Sequence, residues 1–178
     1  MGLGNYFDLK KSFPFYGAYH NEGRNQLIHV CCVPFIWATA LCFVRDVRIP
    51  GTEGIFSGGL KLPDAVAAFY AGSFLIMDPV AGALYAPVLY ALHHFGTVTL
   101  ANHVPIAVGI HVFGWVAQFI GHGVFEGRKP ALFDNLLQSI HAAVFFVWLE
   151  VLFALGYRPA LRKELDALVK KEMAKFKK

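Results

Sequence analysis

With 178 residues, 56% of them apolar and only 16% charged, the chain falls short of the roughly one-quarter charged content of a soluble domain. Composition excludes that class and points to an integral membrane protein of one domain, residues 1–178. The formal net charge of +4 belongs to one end: residues 158–178 carry eight Lys/Arg against three Asp/Glu, and the remainder sums to −1. A basic tail on a near-neutral body suits an anionic membrane surface and leaves no footprint for nucleic acid.

Residues 1–25 mix Asp8, Lys10, Lys11, Glu22 and Arg24 with six aromatics. That mixture belongs at headgroup depth, so an interfacial helix or loop, interrupted at Pro14, is predicted there. Residues 1–25 show no apolar core of a cleavable signal, and internal segments are expected to direct insertion. Leu27 to Val44 is 18 residues without a formal charge, the usual threshold for a transmembrane candidate, with Pro34 as a kink position. Arg45 to Asp64 is a polar, glycine-rich connection. Ala65 to Met77 and the stretch from Val80 are short apolar segments of about 13 residues each, separated by Asp78-Pro79. They form either a hairpin of two thin spans or a re-entrant pair around Asp78. Phe95 to Val104 reads as a polar-leaning link. Pro105 to Phe125 is a fourth apolar segment and Asn135 to Tyr157 a fifth. From Arg158 onward, Leu161, Leu165, Leu168, Val169 and Phe176 mark one face of a basic helix, the pattern of a helix lying on a membrane. The predicted fold is an all-α membrane bundle of four to five segments. A short hairpin lies in its middle, an interfacial segment precedes it and an amphipathic helix ends it.

The stretch Gly114 to Gly127 carries the chemistry. On a helix, Gln118, His122 and Glu126 are four apart and share a face. Ionisable groups closing an apolar segment are expensive in lipid and mark functional sites. A hairpin in the middle returns the start of the first span and the end of the fourth to one membrane side, so His20, His29 and His122 can converge. His20 and His29 are nine apart and would face opposite ways on one straight helix. A shared site therefore needs His20 to precede the helix, and Gly23 permits the break. Neutral imidazoles without a cysteine or carboxylate cluster suit a catalytic iron more than a structural zinc. Cys31, Cys32 and Cys42 offer no metal spacing. His111 lies about 16 Å from His122 along a helix rising about 1.5 Å per residue, too far for one ion. Glu150 stays open between a histidine's acceptor, a protonated acid and an arginine's partner. Two rival readings are a haem-binding electron carrier and a non-catalytic membrane scaffold or carrier.

Three groups of residues carry a family resemblance. They are Tyr19-His20-x4-Asn25-x3-His29, then Gly114-Trp115-x2-Gln118-Phe119-x-Gly121-His122-Gly123-x-Phe125-Glu126, then Arg128-Lys129-Pro130-Ala131-Leu132-x-Asp134-Asn135-Leu136-x-Gln138-Ser139 with the later Glu150. Together they resemble the 2-hydroxy-fatty-acid dioxygenases, small multi-pass proteins of the endoplasmic reticulum membrane. The resemblance runs from about Phe7 to Pro159 and is loose across residues 45–110. It implies an iron(II)-dependent oxidative decarboxylation in which a long-chain 2-hydroxy fatty acid and O₂ give CO₂ and a fatty acid one carbon shorter, serving breakdown of phytosphingosine-type sphingoid bases. It carries His20, His29 and His122 over as iron ligands, with Tyr19, Asn25, Gln118 and Glu126 among the catalytic motif residues. A 2-hydroxy acid offers a hydroxyl and a carboxylate to such an iron, and three histidines leave room for both and for O₂. Glu126 is expected to orient His122 or relay a proton. Arg128 and Lys129 stand either for the substrate carboxylate or for lipid headgroups. The helix of residues 158–178 is expected to be dispensable for metal binding.

Overall fold

The computed structural model describes residues 6–130 and 136–175. The first five residues of the N-terminal segment, Ala131, Leu132, Asp134 and Asn135 of the motif, and Phe176 of the tail lie outside the described residues, as do the side chains of Leu137 and Gln138. Among the described residues the chain is all-helical, with seven α-helices: α1 Leu9–Tyr19, α2 Gly23–Phe43, α3 Leu62–Met77, α4 Pro79–His94, α5 Val104–Ile120, α6 Leu136–Ala154 and α7 Pro159–Lys175. Two π-helical turns, Phe95–Thr99 and Gly121–Glu126, follow α4 and α5. An isolated antiparallel bridge joins Arg48 to Lys61 in the polar connection. Contacts divide the chain into two units, one of residues up to Val33 and from Val116 onward, the other Pro34–Trp115. The boundaries fall inside α2 and inside α5.

In the first unit, Asp8 caps α1 by accepting the Lys10 N–H at 3.0 Å. The helix then runs through Pro14 to Tyr19, where the sequence suggests an interruption. One missing backbone donor is a local loss, and packing on both sides of Pro14 offsets it. The Phe13 ring meets Phe146 at 5.1 Å and Phe153 at 6.1 Å, and Tyr16 meets Phe146 at 5.0 Å. On α7, Leu161, Leu165 and Val169 are buried. This is the face that the sequence pattern lays on a membrane; in the structure α1 covers it. Gly17 allows the approach, because Val169 occupies the space a Cβ would need. At the edge of this packing Lys10 pairs with Glu164 at 2.8 Å. Glu150 of α6 receives Arg162 of α7 at 2.5 Å, so of its three readings the arginine partnership is the one observed.

In the second unit α3 and α4 form a hairpin about Asp78. Its carboxylate is buried and accepts the Ala81 N–H at 3.1 Å, capping α4, while Pro79 occupies the first helical position, where a missing N–H costs nothing. Residues 95–104 are not a link throughout: the helix continues as a π-turn at Phe95–Thr99. Gly96 there lies against the Ala38 carbonyl with no room for a Cβ. His111 is fully engaged. The Trp115 Nε1–H donates to its Nε2 at 3.0 Å, so Nδ1 carries the proton and donates to the Thr39 hydroxyl at 2.8 Å. Thr39 in turn donates to the Phe35 carbonyl at 2.7 Å. Among the described residues, two helices are long and apolar enough to cross a membrane, Gly23–Phe43 and the continuous Val104–Glu126; Leu62–Met77 and Ser139–Ala154 are apolar but shorter.

Candidate metal centre

The site lies in the first unit, at the corner between α1 and α2 and at the π-turn after α5. Its first member comes from a break in the chain. α1 ends at Tyr19, and His20 leaves the helix with φ −134° and ψ 64°. α2 begins at Gly23, so His20 and His29 stand on different elements. The Glu22 carboxylate accepts the N–H groups of Arg24 at 2.8 Å and Asn25 at 3.1 Å, satisfying two of the donors that any helix start leaves free.

His20, His29 and His122 are all buried. Their ring centres stand 4.3 Å (His20–His29), 4.8 Å (His20–His122) and 4.9 Å (His29–His122) apart, each pair edge to face. One nitrogen from each lies within 4.8 Å of the other two. Two nitrogens about 2.1 Å from a common ion stand at most about 4.2 Å apart, so the arrangement is close to that of a three-nitrogen ion site. The tautomers agree. His20 Nδ1 is 2.8 Å from the Tyr16 carbonyl and His29 Nδ1 is 2.9 Å from the Asn25 carbonyl. A carbonyl only accepts, so both Nδ1 atoms carry the proton and both Nε2 atoms keep a free lone pair. His122 differs, since its Nδ1 is buried without a hydrogen-bond partner. An orphaned imidazole nitrogen beside two oriented ones is what a bound cation would satisfy. Burial holds the His20 imidazole well below its usual range, and the neighbouring His29 and His122 push it the same way; the ring is neutral near pH 7, the form that binds metal. Together these features fit a histidine-held divalent ion.

The residues beyond the triad hold the corner. The Glu126 carboxylate accepts the backbone N–H of Asn21 at 3.2 Å and of Glu22 at 3.0 Å, and the side-chain amide of Asn25 at 3.1 Å. Two residues on, the Arg128 guanidinium donates to the Ala18 carbonyl at 3.1 Å. A carboxylate at the start of α2 and a cation at the end of α1 each complement the local helix dipole. Glu126 and Arg128 thus strap the corner that carries His20. The hydrogen bonds of Glu126 are made at the start of α2. Lys129 is exposed, while Tyr19 and Gln118 are buried, Tyr19 lending its carbonyl to Asn25 at 3.5 Å.

Two features escaped the sequence. Tyr16 stacks on His20, ring centres 4.0 Å apart and 16° between planes; an aromatic four residues before a histidine was the available signal. The π-turn Gly121–Glu126 was the other, and Gly121-x-Gly123 its trace. A Cβ at Gly121 would collide with the Asn25 side chain, whereas one at Gly123 meets nothing.

A family model described as "2-hydroxy-palmitic acid dioxygenase Mpo1-like" matches residues 6–155. The chain is 36% identical, over 93% of its own length and 91% of the relative's, to a protein of Saccharomyces cerevisiae named 2-hydroxy-palmitic acid dioxygenase MPO1. No solved structure matches. The family model spans every residue of the triad and of the strap around it, and with this degree of identity along almost the whole chain the protein belongs to the Mpo1-like family.

Proposed function

We propose that this chain is an iron(II)-dependent dioxygenase of the endoplasmic reticulum membrane, acting on long-chain 2-hydroxy fatty acids released during breakdown of sphingoid bases. The acid and O₂ give CO₂, water and the fatty acid one carbon shorter, a reaction whose atoms and electrons balance without a further reductant. The observation that carries the reading is the buried triad His20, His29 and His122, two of whose rings are fixed in the tautomer that points a free Nε2 lone pair away from the backbone. A haem carrier is disfavoured by the same geometry. Ring centres 4.3–4.9 Å apart leave no space for a macrocycle between any two imidazoles of the triad.

His20, His29 and His122 would hold the ion. Iron(II) bound there supplies the one-electron chemistry that O₂ requires. The carbonyls of Tyr16 and Asn25 keep the Nδ1 protons of His20 and His29 in place, so neither ring can turn without losing a buried hydrogen bond. Glu126 and Arg128 fix the α1–α2 corner, and Asn25 joins that corner to Glu126. Apolar helix surfaces take the acyl chain, each buried CH₂ contributing about 0.8 kcal/mol. A bundle of four to five membrane segments, with the α3–α4 hairpin as its short pair, is the setting we propose. Its support is the row of exposed large apolar side chains on α5, among them Ile106, Val112, Phe113, Val116 and Phe119. Such a contiguous surface is rare on a soluble monomer.

The test is iron content and turnover of detergent-purified protein. His20→Ala, His29→Ala and His122→Ala are each expected to lose the iron and the shortened fatty acid, while His111→Ala, whose ring is consumed by Thr39 and Trp115, keeps the iron. Full iron and activity in His122→Ala would overturn the assignment.

A further inference from the structure

Gln118 stands out among the polar groups of the first unit. It is 7% exposed, and its side-chain Nε2 is buried without a hydrogen-bond partner. Its neighbours Val116, Phe119 and Ile120 point outward, so the amide occupies the inward face of the helix. Four residues later comes His122, buried in the π-turn that continues the helix. A primary amide carries two N–H donors, and native structures seldom bury such donors unused.

Several other donors of the first unit are committed. The Asn25 amide goes to Glu126 and Tyr19, the Gln26 amide donates to the His20 carbonyl at 2.8 Å, and the Nδ1 atoms of His20 and His29 are on backbone carbonyls. Arg128 is held at Ala18, and Lys129 is exposed. The orphaned Asn25 Oδ1 lies against Gly121, with no space even for a methyl group. Gln118 offers a buried, unpartnered donor four residues before His122.

We propose that Gln118 is the specificity residue for the acid head of the substrate, its side-chain amide donating to the carboxylate of the 2-hydroxy acid. This rests on the dioxygenase reading and deepens it. The task moves from the cations Arg128 and Lys129 to a neutral donor, which binds a carboxylate without placing a second charge in a buried site. An N–H donor also discriminates by form: it receives a carboxylate well and an ester carbonyl less well, because charge-assisted hydrogen bonds are about twice as strong as neutral ones.

The experiment uses the full chain in detergent, loaded with iron(II) and kept free of O₂ so that binding is read without turnover. The probes are 2-hydroxyhexadecanoic acid and its methyl ester. The variants are Gln118→Leu, similar in size without a donor, and Gln118→Glu, which sets a carboxylate against a carboxylate. Both are expected to keep wild-type iron content; Gln118→Leu is expected to keep the wild-type melting temperature and Gln118→Glu, which buries a carboxyl group, to lower it. Gln118→Leu is expected to bind the acid about tenfold more weakly, and Gln118→Glu more weakly still, with ester affinity changed less than about threefold. Unchanged affinity for the acid in both variants, equal losses for acid and ester, or loss of iron would each overturn the assignment, the last by showing a structural role. Should Gln118→Leu fail to fold, the acid-to-ester ratio of Gln118→Glu decides alone. A wild-type protein that binds neither probe sinks the dioxygenase reading and this one with it. A wild type that binds the acid while the variants match it sinks only this one.

Discussion

At the scale of single residues, the site is a problem of holding neutral imidazoles still. His20 sits at a chain break, where nothing in regular helix geometry fixes its ring, so its anchors are the Tyr16 carbonyl, the Tyr16 ring stacked above it and the strap from Glu126 and Arg128. Glu126 is a tether in this arrangement. Its two oxygens take the backbone N–H groups of Asn21 and Glu22 and the side-chain amide of Asn25. Glu126→Gln keeps one acceptor oxygen and is expected to retain measurable turnover. Glu126→Ala removes all of the acceptors; the loss of such a cap costs about 1–2 kcal/mol, and disturbing a metal ligand's support costs about 10–100-fold in affinity or activity. Thermal melts and iron titrations of the two variants check both figures, and an alanine variant with wild-type melting and iron affinity would show that the strap does nothing.

At the scale of elements, the π-turn and the α1–α7 pair decide the outcome. The turn Gly121–Glu126 is wider than an α-helical turn, and such turns recur at functional sites. Here it presents His122 to the triad and Glu126 to α2 from one short segment. Gly121 makes this possible by letting Asn25 press on the helix backbone. Gly121→Ala is expected to displace Asn25 and cost most of the bound iron, while Gly123→Ala, with open space around it, keeps iron and activity. Iron content of the pair checks the claim, and equal behaviour of the two would refute it. The tail helix has also changed its role. Because Leu161, Leu165 and Val169 cover α1, and His20 directly follows α1, truncation after Arg158 is expected to lower the melting temperature and weaken iron binding. A truncated protein with wild-type melting and iron would restore the view of the tail as dispensable.

At the scale of the whole molecule, large apolar side chains are exposed as well as buried. The interior of the first unit carries His20, Asn25, His29, Gln118 and His122, while α5 turns Val112, Phe113, Val116 and Phe119 outward. Water would make that surface costly; hydrocarbon would not. The protein is therefore expected to stay in the pellet after alkaline carbonate washing of membranes, and its release into the supernatant would argue against integral insertion. Burying polar groups is tolerable only where each has a partner. Two of the atoms without a hydrogen-bond partner, His122 Nδ1 and Gln118 Nε2, are where metal and substrate are proposed to bind.

The sequence by itself determined the helical class, because long charge-free apolar runs and the absence of alternation admit little else. It also determined the spacing of Gln118, His122 and Glu126 and the motif of Tyr19, His20, Asn25 and His29, since spacing is a property of the chain. Side-chain partners were not legible. Whether Glu126 meets His122 or the start of α2 depends on which helix end lies nearby, and helix ends meet only on folding. The membrane-facing reading of Leu161, Leu165 and Val169 failed for a related reason: an apolar stripe states that a face must be buried, and only the tertiary structure supplies what buries it, here α1 approaching at Gly17. The π-turn was hidden because a single extra residue per turn leaves the hydrophobic pattern almost unchanged, and it is the contact of Gly121 with Asn25 that distinguishes it from an ordinary α-helical end.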